Sequence, residues 1–167
     1  LGQLKNIIFE NNFQIDNFNM KLNLEKLRND IFSIYENYFP SNSKNLFFID
    51  KSLENFFNID VILKIFPNAK FIHSNRNYED TAIAIYQSML PELPWTHSIP
   101  DILAYIDNNI KIINYFKKKY PDKIMDIKIE NLTKDKERVS KEIFNFCDLE
   151  WNEKSLNFSQ NINLQIK

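Results

Sequence analysis

Glycine is almost absent: the chain of 167 residues has one, Gly2. Loops that wrap a phosphate in backbone N–H groups need glycine at several positions. Either this chain does not bind phosphate that way, or the loop that does so is missing from it. Cysteine is as scarce. Cys147 alone excludes an internal disulfide framework and a cysteine-based metal cluster, and it reads as a buried thiol. The two histidines, His73 and His97, are far apart and have no cysteine partner, so no metal site is expected. There is no basic excess either. Twenty-one Lys and Arg face 22 Asp and Glu, giving a net charge of −1 and a pI of about 6.2. Nonspecific nucleic-acid binding is therefore not expected. No apolar run approaches the ~20 residues of a membrane span, and no signal peptide is visible. The expected compartment is the cytoplasm. The chain begins at Leu1 rather than Met, which leads us to expect a fragment or a processed product.

What is present suits a soluble α/β domain. Hydrophobic residues make up 44% and charged residues 26%, enough apolar material for one core. The informative stretch is Phe47 to Tyr86. Phe47-Phe48-Ile49 reads as a short strand closed by Asp50-Lys51. A helical pattern follows at Phe56, Ile59, Ile62, Leu63 and Phe66, and Pro67-Asn68 breaks it. Lys70-Phe71-Ile72-His73 begins a second strand, Ser74-Asn75-Arg76-Asn77 closes it, and Tyr78 to Tyr86 starts another helix. Two strands joined through one helix are the mark of a parallel sheet. Working groups in such sheets lie just past the carboxyl ends of the strands. Lys51 and Arg76 occupy those two places, and two cations at one sheet edge point to an anionic ligand.

The rest of the chain extends the pattern. Leu4 to Phe9 is a short apolar element and Asn11 to Asn19 a loop. Asn23 to Tyr38 has the apolar spacing of an amphipathic helix. Gln87 to Ser98 reads as a loop carrying Trp95 and His97. Pro100-Asp101 opens a long helix to Lys119, with Ile102, Leu103, Tyr105, Ile106, Ile110, Ile113 and Phe116 as its stripe. Lys123 to Glu130 alternates Met125, Ile127 and Ile129 with Asp126, Lys128 and Glu130, the period of a half-buried strand. Thr133 or Asp135 caps a helix over Lys136 to Cys147, and Trp151 to Lys167 is irregular. No linker divides the chain, so residues 1–167 are expected to form a single, partial domain. Three strands alternating with helices give an α/β fold with a parallel sheet.

These residues resemble the sulfotransferase family, especially its bacterial branch related to tyrosylprotein sulfotransferases and often linked to tetratricopeptide repeats. That branch has a pattern like T-D-K-x-P-x-N-F, then F-P-x-A-x-I-I-H-x-x-R-x-P-x-D-x-x-x-S-x-Y. Here Ile49-Asp50-Lys51-Ser52-Leu53-Glu54-Asn55-Phe56 answers the first part. Phe66-Pro67-Asn68-Ala69-Lys70-Phe71-Ile72-His73 through Arg76 and Asp80 to Tyr86 answers the second. Ile129-Glu130-Asn131-Leu132 fits a Y-E-D-L strand end, and Phe146-Cys147-Asp148-Leu149-Glu150-Trp151 fits F-C-G-L-x-W. The resemblance runs from about Gly2 to Phe158. It implies a P-loop-NTPase-like three-layer fold, here without its first strand and phosphate loop. It implies transfer of a sulfuryl group from 3′-phosphoadenosine 5′-phosphosulfate (PAPS), as co-substrate and without a metal, to an acceptor hydroxyl or amine. It makes Arg76 the ligand of the donor's 3′-phosphate, which suits a planar guanidinium, and it places Lys51 by the reacting sulfate. The acceptor, a small molecule, glycan or peptide, is not readable.

The departures matter as much. Gln3 stands where relatives carry a glutamate proposed as general base, and an amide takes no proton at neutral pH. Ala84 stands where a serine assists the arginine, and Ile129 where a tyrosine lies beside the adenine. The isolated chain is therefore expected to be inactive. Two other readings stay open: a noncatalytic binding module of the same fold and, against the Asp50-Lys51 pattern, a P-loop kinase. Each candidate residue also has a plainer reading. Lys51 would be a solvated turn lysine, Arg76 an ion-pair partner of Asp80 at helical spacing, His73 a core histidine, and Trp95 and Trp151 packing residues.

Overall fold

The computed structural model describes residues 24–38 and 49–156, and it divides into two units, residues 1–69 and 70–167. The expectations for Gly2-Gln3-Leu4, Leu4 to Phe9, Asn11 to Asn19, Phe47-Phe48 and the residues after Leu156 lie outside the described residues.

In the first unit, helix α1 (Leu24–Tyr38) meets helix α2 (Ile59–Ile65). Leu27 and Ile31 lie four residues apart on one face of α1 and are buried with Ile65, against Val61 and Phe66. Phe32 and Phe66 add an edge-to-face ring contact at 5.5 Å between centroids. Arg28 Nε donates to the Ile65 carbonyl at 2.8 Å, so a cation satisfies an orphan acceptor at the end of α2. Phe66 takes φ −124°, ψ 82°, outside the helical region that a residue before proline avoids, and the helix stops. Before α2, a 3-10 turn (Asn55–Asn58) buries Phe56. The expected strand at Phe47-Phe48-Ile49 is not seen at its described end. Ile49 lies in no strand and is 94% exposed.

The second unit holds the sheet. Strand β1 (Phe71–Asn75) pairs in parallel with strand β2 (Ile124–Lys128), in register from Phe71 with Ile124 to Asn75 with Lys128. Parallel strands need a long crossover. It consists of helix α3 (Tyr78–Ser88), a 3-10 turn (Pro94–His97) and helix α4 (Ile99–Lys119). The parallel pairing shown is thus between the second and third strands expected from the sequence. Each crossover helix begins with a cap: Asn77 Oδ1 accepts from the Asp80 N–H at 3.0 Å, and Ser98 Oγ from that of Asp101 at 3.5 Å. Ile102, Ile113 and Phe116 are buried along α4, whereas Ile110 is 40% exposed. Short helix α5 (Ile129–Lys134) and helix α6 (Lys136–Phe146) follow β2.

Two sequence expectations need correcting here. The strand stops at Lys128, and Ile129-Glu130 open α5 instead of extending the alternation. The residues β2 buries are Ile124 and Ile127, three apart and so on opposite faces. Asp135, not Thr133, caps α6. Its Oδ1 accepts from the Arg138 N–H at 3.2 Å, while the Thr133 hydroxyl donates to the Glu130 carbonyl at 2.9 Å. Cys147 is half-buried rather than buried, and desolvation raises its thiol pKa above the ordinary value.

Candidate functional site

A parallel sheet presents its ligand-facing turns beyond the carboxyl ends of its strands. β1 and β2 end side by side, with Asn75 and Lys128 as register partners. Arg76 follows β1 directly. Its guanidinium is half-exposed and stands 3.8 Å from Asp80 Oδ2, the ion pair at helical spacing that the sequence allows. Such an exposed pair is worth only a few tenths of a kcal/mol. An arriving anion can therefore displace Asp80 at little cost.

The turn that carries Arg76 is held at four points. Asn77 accepts at its side chain from Asp80, and its carbonyl accepts from the Thr81 N–H at 3.0 Å and the Thr81 hydroxyl at 2.7 Å. The Asn77 N–H donates to Glu130 Oε1 at 3.2 Å. This last bond crosses from α5 to the β1–α3 turn and ties the ends of the two strands together. Its own backbone N–H, then that of Asn77, holds the Glu130 carboxyl below the ordinary glutamate value. Partial desolvation opposes this, while the charges of Arg76 and Lys128 reinforce it. One carboxylate thus feels both cations. Tyr78 anchors the start of α3 by donating its hydroxyl to Asp107 Oδ1 at 3.0 Å. Burial and that contact raise its pKa.

Lys128 appears in the sequence reading only as a polar position of a strand, and Glu130 as such a position and as part of the Y-E-D-L resemblance, with no role given to either. The usable signal was position: the last residue of a parallel strand is where ligand-facing groups stand.

Lys51 lies in the first unit and Arg76 in the second. Lys51 is exposed on a folded turn. The Ser52 hydroxyl donates to the Asp50 carboxylate, and the Asn55 side-chain amide donates to the Asp50 carbonyl at 3.3 Å. Asp50, Ser52 and Asn55 thus shape the turn and leave the Lys51 side chain to solvent.

The histidines take structural positions. His73 has an 18% exposed side chain, with Nδ1 2.9 Å from Asp126 Oδ1 on the neighbouring strand. Lys117 binds the other oxygen of the same carboxylate. Burial alone would raise the Asp126 pKa, but the hydrogen bonds from Lys117 and His73 outweigh it and hold the carboxyl below its ordinary value. His97 Nε2 lies 3.1 Å from the Leu90 carbonyl, closing the loop before α4. Buried Thr96 closes it further by donating to the Leu93 carbonyl at 2.7 Å. Trp95 stacks on Tyr105 at 3.9 Å, and Trp151 donates to Ser140 Oγ at 2.9 Å beneath the Lys141 ammonium. Both tryptophans pack, as expected. Ala84 is half-buried in α3 and Ile129 in the first turn of α5. Neither offers a polar side chain to an anion. Among the described residues, no group of three or more His, Cys, Asp or Glu stands close enough to hold a metal ion. No described helix is long and apolar enough to cross a membrane.

Comparison with known proteins gives two findings. Residues 5–153 match the family described as "Sulfotransferase family". An uncharacterized protein of Aquifex aeolicus (strain VF5) is 32% identical over 114 residues, which is 66% of this chain and 15% of that protein. The chain thus spans under a sixth of this relative's length. No solved structure matches.

Proposed function

This chain belongs to the sulfotransferase family, and on that premise we propose that it is part of a protein that transfers a sulfuryl group from PAPS to an acceptor hydroxyl or amine. The observation that carries the reading is Arg76, half-exposed just past β1 on a turn fixed by four hydrogen bonds. The donor chemistry fits these residues. A 3′-phosphate is nearly dianionic, a guanidinium binds it with paired donors, and Lys128 adds charge at the same edge. In this reading Arg76 holds the 3′-phosphate. Lys51 stabilises the oxygen released with the nucleotide when its bond to sulfur breaks and the acceptor's bond to sulfur forms. Gln3 cannot take the acceptor's proton, and no residue is assigned as the base. We further propose that both units belong to one partial domain of the P-loop-NTPase-like, three-layer type. A family match crossing both units and a parallel sheet with helical crossovers support this.

The test uses the full-length protein and 3′-phosphoadenosine 5′-phosphate. The nucleotide is expected to raise the Tm of the wild type, and Arg76→Ala to abolish most of that shift. A wild type whose Tm does not respond removes the donor-binding reading. A second reading, a noncatalytic module that binds a ligand or partner, is favoured by Gln3, Ala84 and Ile129, which stand where the resemblance puts the general base and two donor contacts. It predicts no turnover, with or without a Tm shift, whereas the transferase predicts both.

A further inference from the structure

Two described contacts tie the β1–α3 turn and the start of α3 to other elements, Tyr78 to Asp107 and Asn77 to Glu130, and the second is made by the turn's own backbone. The Asn77 carbonyl and side chain bind within α3, to Thr81 and Asp80. Among the described residues, it is the Asn77 N–H that reaches another element, and it reaches Glu130. Asn77 is the residue next to Arg76, so whatever fixes its peptide also fixes the direction in which Arg76 leaves the sheet. The peptide between them is flanked by one soft torsion on each side, ψ of Arg76 and φ of Asn77. Without the Glu130 contact, the peptide is held through its neighbours, by the pairing of Asn75 in β1 on one side and the α3 cap on the other. We propose that Glu130 is a positioning residue for anion binding. By accepting the Asn77 N–H it sets the turn so that the Arg76 guanidinium projects beyond the sheet edge toward the ligand's phosphate. The proposal rests on the reading of Arg76 as the 3′-phosphate ligand.

The chemistry of Glu130 makes this sharper. Its carboxylate lies near Arg76 and Lys128, so its charge competes with any anion these cations receive. Holding the turn favours binding, while carrying a negative charge opposes it. A glutamine separates the two effects. Its amide oxygen still accepts the Asn77 N–H, but the charge is gone. An alanine removes both.

The experiment measures Kd by calorimetry for the full-length protein with two nucleotides, 3′-phosphoadenosine 5′-phosphate and adenosine 5′-phosphate. The Kd for adenosine 5′-phosphate divided by that for 3′-phosphoadenosine 5′-phosphate gives a ratio that isolates the 3′-phosphate. Glu130→Ala is expected to lower that ratio on the order of tenfold, the size of one lost charge-assisted hydrogen bond. Its affinity for adenosine 5′-phosphate should stay near the wild-type value. Glu130→Gln is expected to hold the wild-type ratio or exceed it. If both variants raise the ratio, Glu130 acts only as a competing charge and the proposal is overturned. Equal loss of both nucleotides in Glu130→Ala means general structural damage and also overturns it. Should that variant not fold, Glu130→Asp, which withdraws the carboxylate from Asn77, carries the same expectation. The underlying reading is judged separately. A wild type with no preference between the nucleotides sinks both claims. Loss of the preference in Arg76→Ala but not in Glu130→Ala sinks this one alone.

Discussion

Asp126 shows what one side chain does between two strands. It accepts from His73 across the β1–β2 pair and from Lys117 at the end of α4. Its pKa is depressed in the folded chain, so its contribution is present above the unfolded carboxylate value, about 3.9. That contribution is lost as pH falls through the lower folded value. Asp126→Asn should cost about 1 kcal/mol near neutrality, a modest figure because the three groups are partly exposed and screened. The gap from wild type, followed by urea unfolding across pH, should close below about pH 4. A gap of constant size down to about pH 3 would show that the charge contributes nothing. His73 was legible as a core histidine because it sits inside an apolar strand pattern. Its partner was not, since Asp126 is 53 positions away and only the register of the sheet brings them together. Arg76 was legible for the opposite reason: its place depends on the end of one strand, which local sequence marks. The place of Lys128 and Glu130 beside the Arg76 turn was not legible, because alternation of charge with isoleucine is equally the signature of a solvated strand face, and the Y-E-D-L resemblance marks Glu130 without naming its partner.

Elements end in this chain under a constraint that its composition imposes. Helices commonly close on a left-handed residue, usually glycine, and the one glycine is Gly2. Helix α3 closes on Met89 at φ 42°, and the turn after α6 passes through Asp148 at φ 56°. A side chain with a Cβ costs about 1–2 kcal/mol in that region. At Asp148 the carboxylate offsets part of this by binding the Lys70 ammonium, which also contacts the Phe146 carbonyl. Met89 is 55% exposed and has little packing to lose. Met89→Gly should therefore stabilise the protein by about 0.5–1 kcal/mol, the strain relieved less the entropy a glycine adds to the unfolded chain. Thermal unfolding measures it, and a lower Tm would show that Met89 packs more than its exposure implies. The helices themselves were readable from spacing, caps and prolines. The end of β2 was not, because Ile129 and Glu130 continue the alternation in sequence while the backbone has already turned into α5.

At the scale of the molecule, the two candidate cations belong to different units, residues 1–69 and 70–167, while the family match crosses from one to the other. If one domain uses both, their losses should differ in kind. Arg76 is assigned to a phosphate that binds but does not react, so its contact is as strong in the ground state as in the transition state. Removing such a contact raises KM and leaves kcat near its original value. Lys51 is assigned to charge that develops as the sulfur–oxygen bond breaks, so it matters mainly in the transition state. Lys51→Ala in the full-length protein should lower kcat on the order of 10²-fold or more with KM for the donor little changed. Arg76→Ala should raise KM for the donor on the order of tenfold, with a much smaller effect on kcat. Steady-state kinetics on the two variants separates these patterns. The turn around Lys51 is built by Asp50, Ser52 and Asn55 rather than by the lysine, so Lys51→Ala leaves those contacts in place and a fall in kcat reports the lost charge. A Lys51→Ala enzyme with unchanged kcat would return Lys51 to a solvated turn lysine and leave the first unit without a part in the chemistry.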